Sequence, residues 1–277
     1  MNADLIRRLG KAVAAAVLSL SIFTVPVFAA DATKTAEPPK AAAPAAKEAA
    51  DVGAIKMGRD EGKSFLARHE GFLKDLKAKE GKVDLLLVGD SITDGWRNGG
   101  KDVLQKAWGS KMSVLNIGIG GDRTQHVTWR LDKGEVEGIS PKVAMLMIGT
   151  NNLGGNTDDE IVAGVTKIVH QLHEKLPKTK VLLLGVFPRN DKDKANKQIE
   201  VGKADEPVRA RLKNINEKIS KLDDGGKTVK YLDIGPKFLD SDGGLHRDVM
   251  PDWLHPNAKG YQIWADAVQP TLDELMK

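Results

Sequence analysis

A serine, an aspartate and a histidine in this sequence have the types and settings that nucleophilic acyl transfer requires. Ser91 stands in Val88-Gly-Asp-Ser-Ile-Thr93 directly after an apolar run, and Asp252 and His255 stand in Pro251-Asp-Trp-Leu-His-Pro256. A serine hydroxyl is a weak nucleophile until an imidazole takes its proton and an anion orients that imidazole. Alone, Asp252-x-x-His255 is equally typical of a capped helix start. Together with Ser91, it predicts a catalytic triad.

Glycines and amides follow the next two apolar runs. Gly118-Ile-Gly-Gly-Asp-Arg-Thr124 comes after the second run, and Gly149-Thr-Asn-Asn152 comes after the third. Backbone N–H groups and an asparagine amide are donors that stabilise the oxyanion of acyl transfer, and glycine lets the backbone approach a ligand. Gly118-Ile-Gly120 also opens like a dinucleotide-binding loop, but arginine occupies position 123, where that motif has its third glycine. We therefore expect no nucleotide cofactor.

The positions of these residues follow from an alternation of strand and helix patterns. Short apolar runs predict buried strands at 83–88, 113–117, 143–148, 181–186 and 229–234. Helical patterns are predicted around Phe65–Leu76, at 157–176 behind the capping box Thr157-Asp-Asp-Glu160, after Pro207 and after Pro256. Such alternation predicts a parallel sheet with helices on both faces. Ser91 then lies at the carboxyl end of the first strand, where open α/β sheets bind ligands.

The N-terminal region divides into two segments before the domain begins. Residues 1–30 carry Arg7, Arg8 and Lys11, then an apolar run, then small residues, which predicts a secretory signal peptide. An uncleaved anchor helix is the alternative. Residues 31–56 are rich in Ala, Pro and Lys and predict a flexible linker, and residues 57–277 predict one hydrolase domain. We therefore expect an exported protein, periplasmic or secreted, with no membrane span after processing.

Composition excludes several kinds of site. The chain has no cysteine, so disulfides, thiolate metal sites and cysteine nucleophiles are ruled out. His170 and His173 are three residues apart, but the sequence shows no third ligand near them, and we predict no metal site. The formal net charge of +4 over 277 residues gives no reason to expect nucleic acid or a membrane surface as partner.

These motifs resemble those of the SGNH hydrolases, also called GDSL esterases and lipases, from about Val83 to the C-terminus. Gly89-Asp90-Ser91 resembles the family's nucleophile block, although Ile92 replaces the leucine of the GDSL name. The resemblance implies that Gly121 and Asn151 form the oxyanion hole, with Ser91, Asp252 and His255 as the triad. It implies a flavodoxin-like three-layer α/β/α sandwich with a five-stranded parallel sheet, and no cofactor.

Within that family, three strings are similar to the catalytic subunits of platelet-activating factor acetylhydrolase type Ib. They are Asn116–Asp122, Gln125–Leu131 and Gly149–Asn152. That branch removes short acyl groups, mostly acetyl, and forms dimers, so the resemblance implies a short-chain serine esterase and a homodimer. The substrate is expected to be an acetylated carbohydrate or a small lipid-like ester, because the polar segment 188–206 does not suit a lipid tunnel. An acyltransferase with the same triad and a non-catalytic glycan-binding module are the alternatives.

Other polar residues near these motifs are expected to be structural. His126 and Trp129 lie in the helical segment after Gly121 and should pack on the sheet. Arg123 is expected to form an ion pair, although a cation there also suits an anionic or hydroxylated substrate. His246 lies in a turn-rich loop before the Asp252-x-x-His255 motif and is expected to shape the substrate entrance.

Overall fold

A five-stranded parallel sheet forms the centre of the domain. The computed structural model describes residues 48–56, 60–190, 206–241 and 243–277. The strands are β1 (Leu85–Gly89), β2 (Val114–Asn116), β3 (Val143–Met147), β4 (Lys180–Leu184) and β5 (Val229–Leu232). Their order is β2-β1-β3-β4-β5, and every neighbouring pair is parallel. The predicted strands and the α/β fold are confirmed; the predicted signal peptide lies outside the described residues.

Helices cover both faces of this sheet. They are α1 (Lys63–Ala78), α2 (Ser91–Asp94), α3 (Lys101–Leu104), α4 (Thr124–Asp132), α5 (Asp158–Lys175), α6 (Glu206–Ile219) and α7 (Ala258–Leu275). Residues of β1 alternate between two buried clusters: Leu86 and Val88 pack with α1, α4, α5 and α6, whereas Leu85 and Leu87 pack with α2 and α7. This alternation follows the two-residue period of a strand, and it confirms the predicted three-layer sandwich. Within the described ranges, no helix is long and apolar enough to cross a bilayer.

The longest predicted helix forms as its sequence pattern indicates. Thr157 Oγ1 accepts a hydrogen bond from Glu160 N at 3.3 Å, and Glu160 Oε2 accepts one from Thr157 N at 2.7 Å. This reciprocal capping box satisfies two backbone donors at the start of α5. The predicted apolar stripe is buried at Ile161, Val165, Ile168 and Leu172. α5 therefore packs against the sheet beside α4.

The last described part of the predicted linker contacts the domain. Thr124 Oγ1 donates to Ala50 O at 2.6 Å, and Ala54 N donates to Gln125 O at 3.1 Å. The side-chain amide of Gln125 also donates to Glu48 Oε2 at 3.0 Å. We call residues 48–56 the N-terminal strap. The strap lies along the start of α4, although its composition favoured a free linker up to residue 56.

A buried tyrosine joins the two helices that follow the triad motifs. The Tyr261 hydroxyl, on α7, donates to Ile92 O, on α2, at 2.7 Å. The Tyr261 ring also packs on Trp96 with 4.5 Å between ring centroids. A Cβ added at Gly95 would lie 2.0 Å from the Tyr261 hydroxyl oxygen, so only glycine permits this approach. The start of α7 is therefore held against the start of α2.

Two glycine substitutions test this packing. A Cβ at Gly95 meets the buried Tyr261 hydroxyl, whereas a Cβ at Gly99 has its nearest neighbour at 3.6 Å, an ordinary contact. We predict that Gly95→Ala lowers the free energy of unfolding by about 1–3 kcal/mol, the usual cost of overpacking, and that Gly99→Ala changes it by less than about 0.5 kcal/mol. Urea unfolding measures both. Equal effects would contradict the assigned contact, and Tyr261→Phe should partly rescue Gly95→Ala.

Candidate active site

Ser91 occupies the first position of α2, immediately beyond β1. Asp90 is the N-cap residue, and its Oδ1 accepts a hydrogen bond from Ile92 N at 2.9 Å. The turn requires glycine before it, because a Cβ at Gly89 would lie 2.2 Å from Thr93 Oγ1 and 2.4 Å from Met147 O. The turn therefore presents a half-buried Ser91 at the carboxyl end of the sheet.

A strained turn presents the histidine. Trp253 has a φ of 63°, which is unusual for a residue with a bulky side chain, and its indole is buried in the core beside α7. Asp252 Oδ1 accepts hydrogen bonds from Leu254 N at 3.1 Å and from His255 N at 2.7 Å. Asn190 N donates to Trp253 O at 3.1 Å. These contacts fix the backbone of the turn and therefore the direction in which the His255 side chain points.

The structure brings the three predicted triad residues together. Ser91 Oγ lies 2.8 Å from His255 Nε2, and Asp252 Oδ2 lies 2.6 Å from His255 Nδ1. Both distances are those of hydrogen bonds. With Nδ1 protonated toward Asp252, Nε2 presents its lone pair to the serine hydroxyl. The arrangement can therefore move a proton from Ser91 to His255.

The carboxylate of Asp252 is held in its ionised form. Burial raises the pKa of Asp252, but hydrogen bonds from the His255 ring and backbone, together with the charge of a protonated His255, outweigh that effect. The net pKa lies below the ordinary value of 3.8. Asp252 is consequently negative at neutral pH and favours a positive imidazolium beside it.

The two predicted oxyanion-hole residues lie on neighbouring loops. Asn151 Nδ2 donates one hydrogen bond to Asp122 O at 2.8 Å, which links the loop after β3 to the loop after β2. A Cβ at Gly120 would lie 3.8 Å from Ser91 Cβ, and Gly121 has a φ of 76°. In the described part of the chain, neither the Ser91 N–H nor the Gly121 N–H donates to a backbone carbonyl. Both are donors of the type that can bind an oxyanion.

A buried charge network supports the segment Gly118–Thr124 after β2, which we call the glycine loop. The Arg130 guanidinium donates to Asp122 Oδ2 at 3.0 Å and also to Glu135, and His69 Nδ1 lies 2.7 Å from Glu135 Oε1. The Asp122 and Arg130 side chains are fully buried. Burial raises the pKa of Asp122 to about 6, although the charge of Arg130 opposes this rise. Loss of one partner would leave an uncompensated buried charge, so the network holds the loop firmly.

The predicted packing of His126 and Trp129 against the core is confirmed. His126 is buried, and its Nδ1 accepts a hydrogen bond from Arg123 N at 3.0 Å. Burial, aided by the charges of Lys56, Arg123 and Arg130, lowers the pKa of His126 to about 3. Trp129 packs on Phe65 at 5.5 Å between ring centroids.

Two expectations concern charged residues near the motifs: an ion pair for Arg123, and a place at the substrate entrance for His246, which stays a prediction. The predicted ion pair of Arg123 is not found among the residues that the structure describes. The arginines that form salt bridges there include Arg68, Arg130 and Arg211. His246 is exposed and pairs with Asp240. For metals, the described ranges contain no group of three His, Cys, Asp or Glu side chains that could hold an ion.

Sequence reasoning missed Lys56, which contacts the glycine loop. Lys56 Nζ donates to Gly120 O. Lys56 lies in a segment whose Ala, Pro and Lys content predicted a linker, so no local pattern distinguished it from the lysines around it. The only sequence signal is the return of larger apolar residues at Val52 and Ile55.

Comparison with known proteins identifies the family of these motifs. Residues 87–263 match the model of the GDSL-like Lipase/Acylhydrolase family. Over 212 residues the chain is 34% identical to platelet-activating factor acetylhydrolase IB subunit alpha1 of Homo sapiens, covering 76% of this chain and 84% of that protein. The predicted relationship to this group is therefore confirmed.

Solved structures share the fold at lower identity. A GDSL-like lipase from Bacteroides thetaiotaomicron has a TM-score of 0.57 and 18% identity, covering 75% of this chain and 98% of that one. Est24, a carbohydrate acetylesterase from Sinorhizobium meliloti, has a TM-score of 0.52 and 17% identity, covering 70% and 100%. At these identities the likeness concerns the fold alone.

The buried Asp90 generates a prediction about stability and pH. Its Oδ2 has no hydrogen-bond partner among the described residues, and burial raises its pKa from 3.8 to about 7. Because the folded-state pKa is the higher one, the stability that Asp90 contributes is complete below about pH 4 and is lost as the pH rises through about 7. Ionisation of this side chain therefore opposes folding at neutral pH.

Asp90→Asn removes this titration while its Oδ1 still accepts from Ile92 N. We predict equal free energies of unfolding for variant and parent near pH 4, and a growing advantage of the variant up to about 4 kcal/mol at pH 8. Urea unfolding at several pH values measures the difference. Asp122, whose pKa is also raised, is present in both proteins, so its own titration does not separate them. A difference that does not change with pH would contradict the prediction.

Proposed function

Because this chain belongs to the GDSL-like lipase/acylhydrolase family of carboxylic ester hydrolases, we propose that it is a serine esterase that hydrolyses short acyl esters, acetyl above all, through an acyl-enzyme on Ser91. The observation that carries this proposal is the pair of contacts at His255. Its Nε2 lies 2.8 Å from Ser91 Oγ, and its Nδ1 lies 2.6 Å from Asp252 Oδ2. A side chain that only bound a ligand would need no base beside its hydroxyl.

The proposed reaction has two halves. In the first, His255 Nε2 takes the proton of Ser91 as Oγ attacks the ester carbonyl, and then gives it to the departing alkoxide, so an alcohol leaves. In the second, His255 takes a proton from water, which attacks the acyl-enzyme. Collapse of the second tetrahedral intermediate returns the proton to Ser91 and releases the acid. Asp252 keeps the imidazole oriented and stabilises its positive form throughout.

Three donors are proposed to hold the oxyanion of both tetrahedral intermediates. They are the backbone N–H groups of Ser91 and Gly121 and the side-chain amide of Asn151. The contact between Asn151 Nδ2 and Asp122 O uses one of the two amide hydrogens, which leaves the other for the oxyanion. Each such donor is worth about 3 kcal/mol in the transition state.

The carrier of the acyl group is proposed to be a carbohydrate. A recess of about 520 Å³ adjoins Gly120; Phe65 and Ile119 line it together with five residues that carry charged or hydroxyl groups: Lys56, Asp60, Ser64, Arg68 and Asp94. Such groups suit hydroxylated carriers better than an acyl tail. The name of the human relative supports acetyl as the group removed, since that protein is an acetylhydrolase. Segment 188–206, predicted as a polar loop, lies mostly outside the described residues.

We also propose that residues 1–30 are a signal peptide and that the enzyme is exported. The support is the order of basic, apolar and small residues in that segment. Expression of the full chain in a bacterium, followed by N-terminal sequencing, should give a periplasmic or secreted protein that begins near residue 31. Recovery of the uncleaved chain in the membrane fraction would support the anchor alternative.

The esterase proposal is tested with nitrophenyl acetate, butyrate and octanoate. We predict the highest kcat/KM for acetate and at least a 10³-fold loss with Ser91→Ala, while Asp252→Asn lowers kcat by up to about 10⁴-fold. Ser110→Ala, an exposed serine outside the site, is the matched control and should retain full activity. Turnover by Ser91→Ala at the parent rate would overturn the mechanism. Acyl transfer to an added sugar in preference to water would favour the transferase alternative.

A further inference from the structure

Lys56 is held beside the glycine loop by the N-terminal strap. Two hydrogen bonds join the strap to the start of α4, from Thr124 Oγ1 to Ala50 O at 2.6 Å and from Ala54 N to Gln125 O at 3.1 Å. Lys56 follows these contacts and is half-buried, and its Nζ donates to Gly120 O. A Cβ at Gly121 would lie 2.9 Å from the same Nζ. The ammonium group therefore lies on the Gly120–Gly121 peptide.

The Gly120 carbonyl and the Gly121 N–H belong to one peptide group. A trans peptide is planar, so the carbonyl oxygen and the amide hydrogen point to opposite sides. Glycine on both sides of this peptide allows its plane to rotate at little cost. An ammonium on the carbonyl oxygen fixes the plane and directs the N–H away from Lys56. It also draws electron density toward the oxygen, which strengthens the N–H as a donor.

The charge of Lys56 is felt throughout this loop. Burial is the largest influence on the pKa of both Asp122 and His126, and the charge of Lys56 lowers both values. The same positive charge would also stabilise the negative charge that develops on an oxyanion bound by the Gly121 N–H. Charge and hydrogen-bond geometry thus support the same role.

We propose that Lys56 is a positioning residue for catalysis: it orients and polarises the Gly120–Gly121 peptide, so that the Gly121 N–H is ready for the oxyanion. The inference rests on the proposed oxyanion role of Gly121. It makes the strap part of the catalytic unit, and it assigns a function to a lysine within the predicted linker. Its effect is larger in the transition state than on the bound ester, because the uncharged ester carbonyl gains less from a strengthened donor.

The test compares three lysine variants with nitrophenyl acetate, with rates expressed per active site as titrated by an organophosphate. Lys56→Met should lower kcat by about 10- to 100-fold and leave KM within about twofold, and Lys56→Arg should recover most of the loss. Lys63→Met removes a charge from the exposed start of α1 and should match the parent. Ser91→Ala is measured in parallel.

A second readout separates positioning from a purely structural role. Phenylboronic acid forms a tetrahedral adduct on a reactive serine and places an oxygen in the oxyanion site, so its Ki should rise in Lys56→Met by about the factor that kcat falls. A strap that only stabilised the fold would lower the midpoint of urea unfolding and leave kcat per titrated site and Ki unchanged, which would overturn the inference. If Ser91→Ala were active, the proposed function would fail instead.

Discussion

The geometry of the site depends on the docking of α7 against α2. Ser91 and His255 are separated by 164 positions in the chain, yet a hydrogen bond of 2.8 Å requires their backbones to be fixed within a few tenths of an ångström. The buried hydrogen bond from Tyr261 to Ile92 O supplies that constraint one residue beyond the serine. Gly95 allows the tyrosine to approach, and the indole of Trp253 anchors the turn that carries the histidine. Packing between two helices thus sets the distance between the proposed nucleophile and its proposed base.

The glycine loop after β2 is flexible by composition and is held from three directions. Asn151 binds the carbonyl of Asp122, Arg130 pairs with its buried carboxylate, and Lys56 binds the carbonyl of Gly120. Glycine lets the backbone come close to a ligand but does not fix its orientation, so the neighbouring polar groups must do so. The proposed oxyanion donors are therefore oriented before a substrate arrives, which is what electrostatic stabilisation of a transition state requires.

The sequence predicts most of the fold but only part of the proposed site and its support. Strands β1 and β3 are continuous apolar runs, and the capping box at Thr157 marks the start of α5, so local sequence patterns predict all three elements. Ser91, Asp252 and His255 were found because acyl transfer restricts the residue types that can serve. Tyr261 looked like an ordinary core position, since only its place in space brings its hydroxyl to Ile92 O. Lys56 was missed because its contact with Gly120 joins residues 64 positions apart.

The account is tested most directly by covalent labelling with diethyl nitrophenyl phosphate, an organophosphate that reacts with an activated serine and releases nitrophenolate. We predict one diethylphosphoryl group per chain, located by peptide mass spectrometry on Ser91, with loss of esterase activity in proportion to labelling. His255→Ala should react far more slowly, because the hydroxyl loses its base. Full labelling of Ser91 with ester hydrolysis intact, or inactivation through a different residue, would contradict the proposed site.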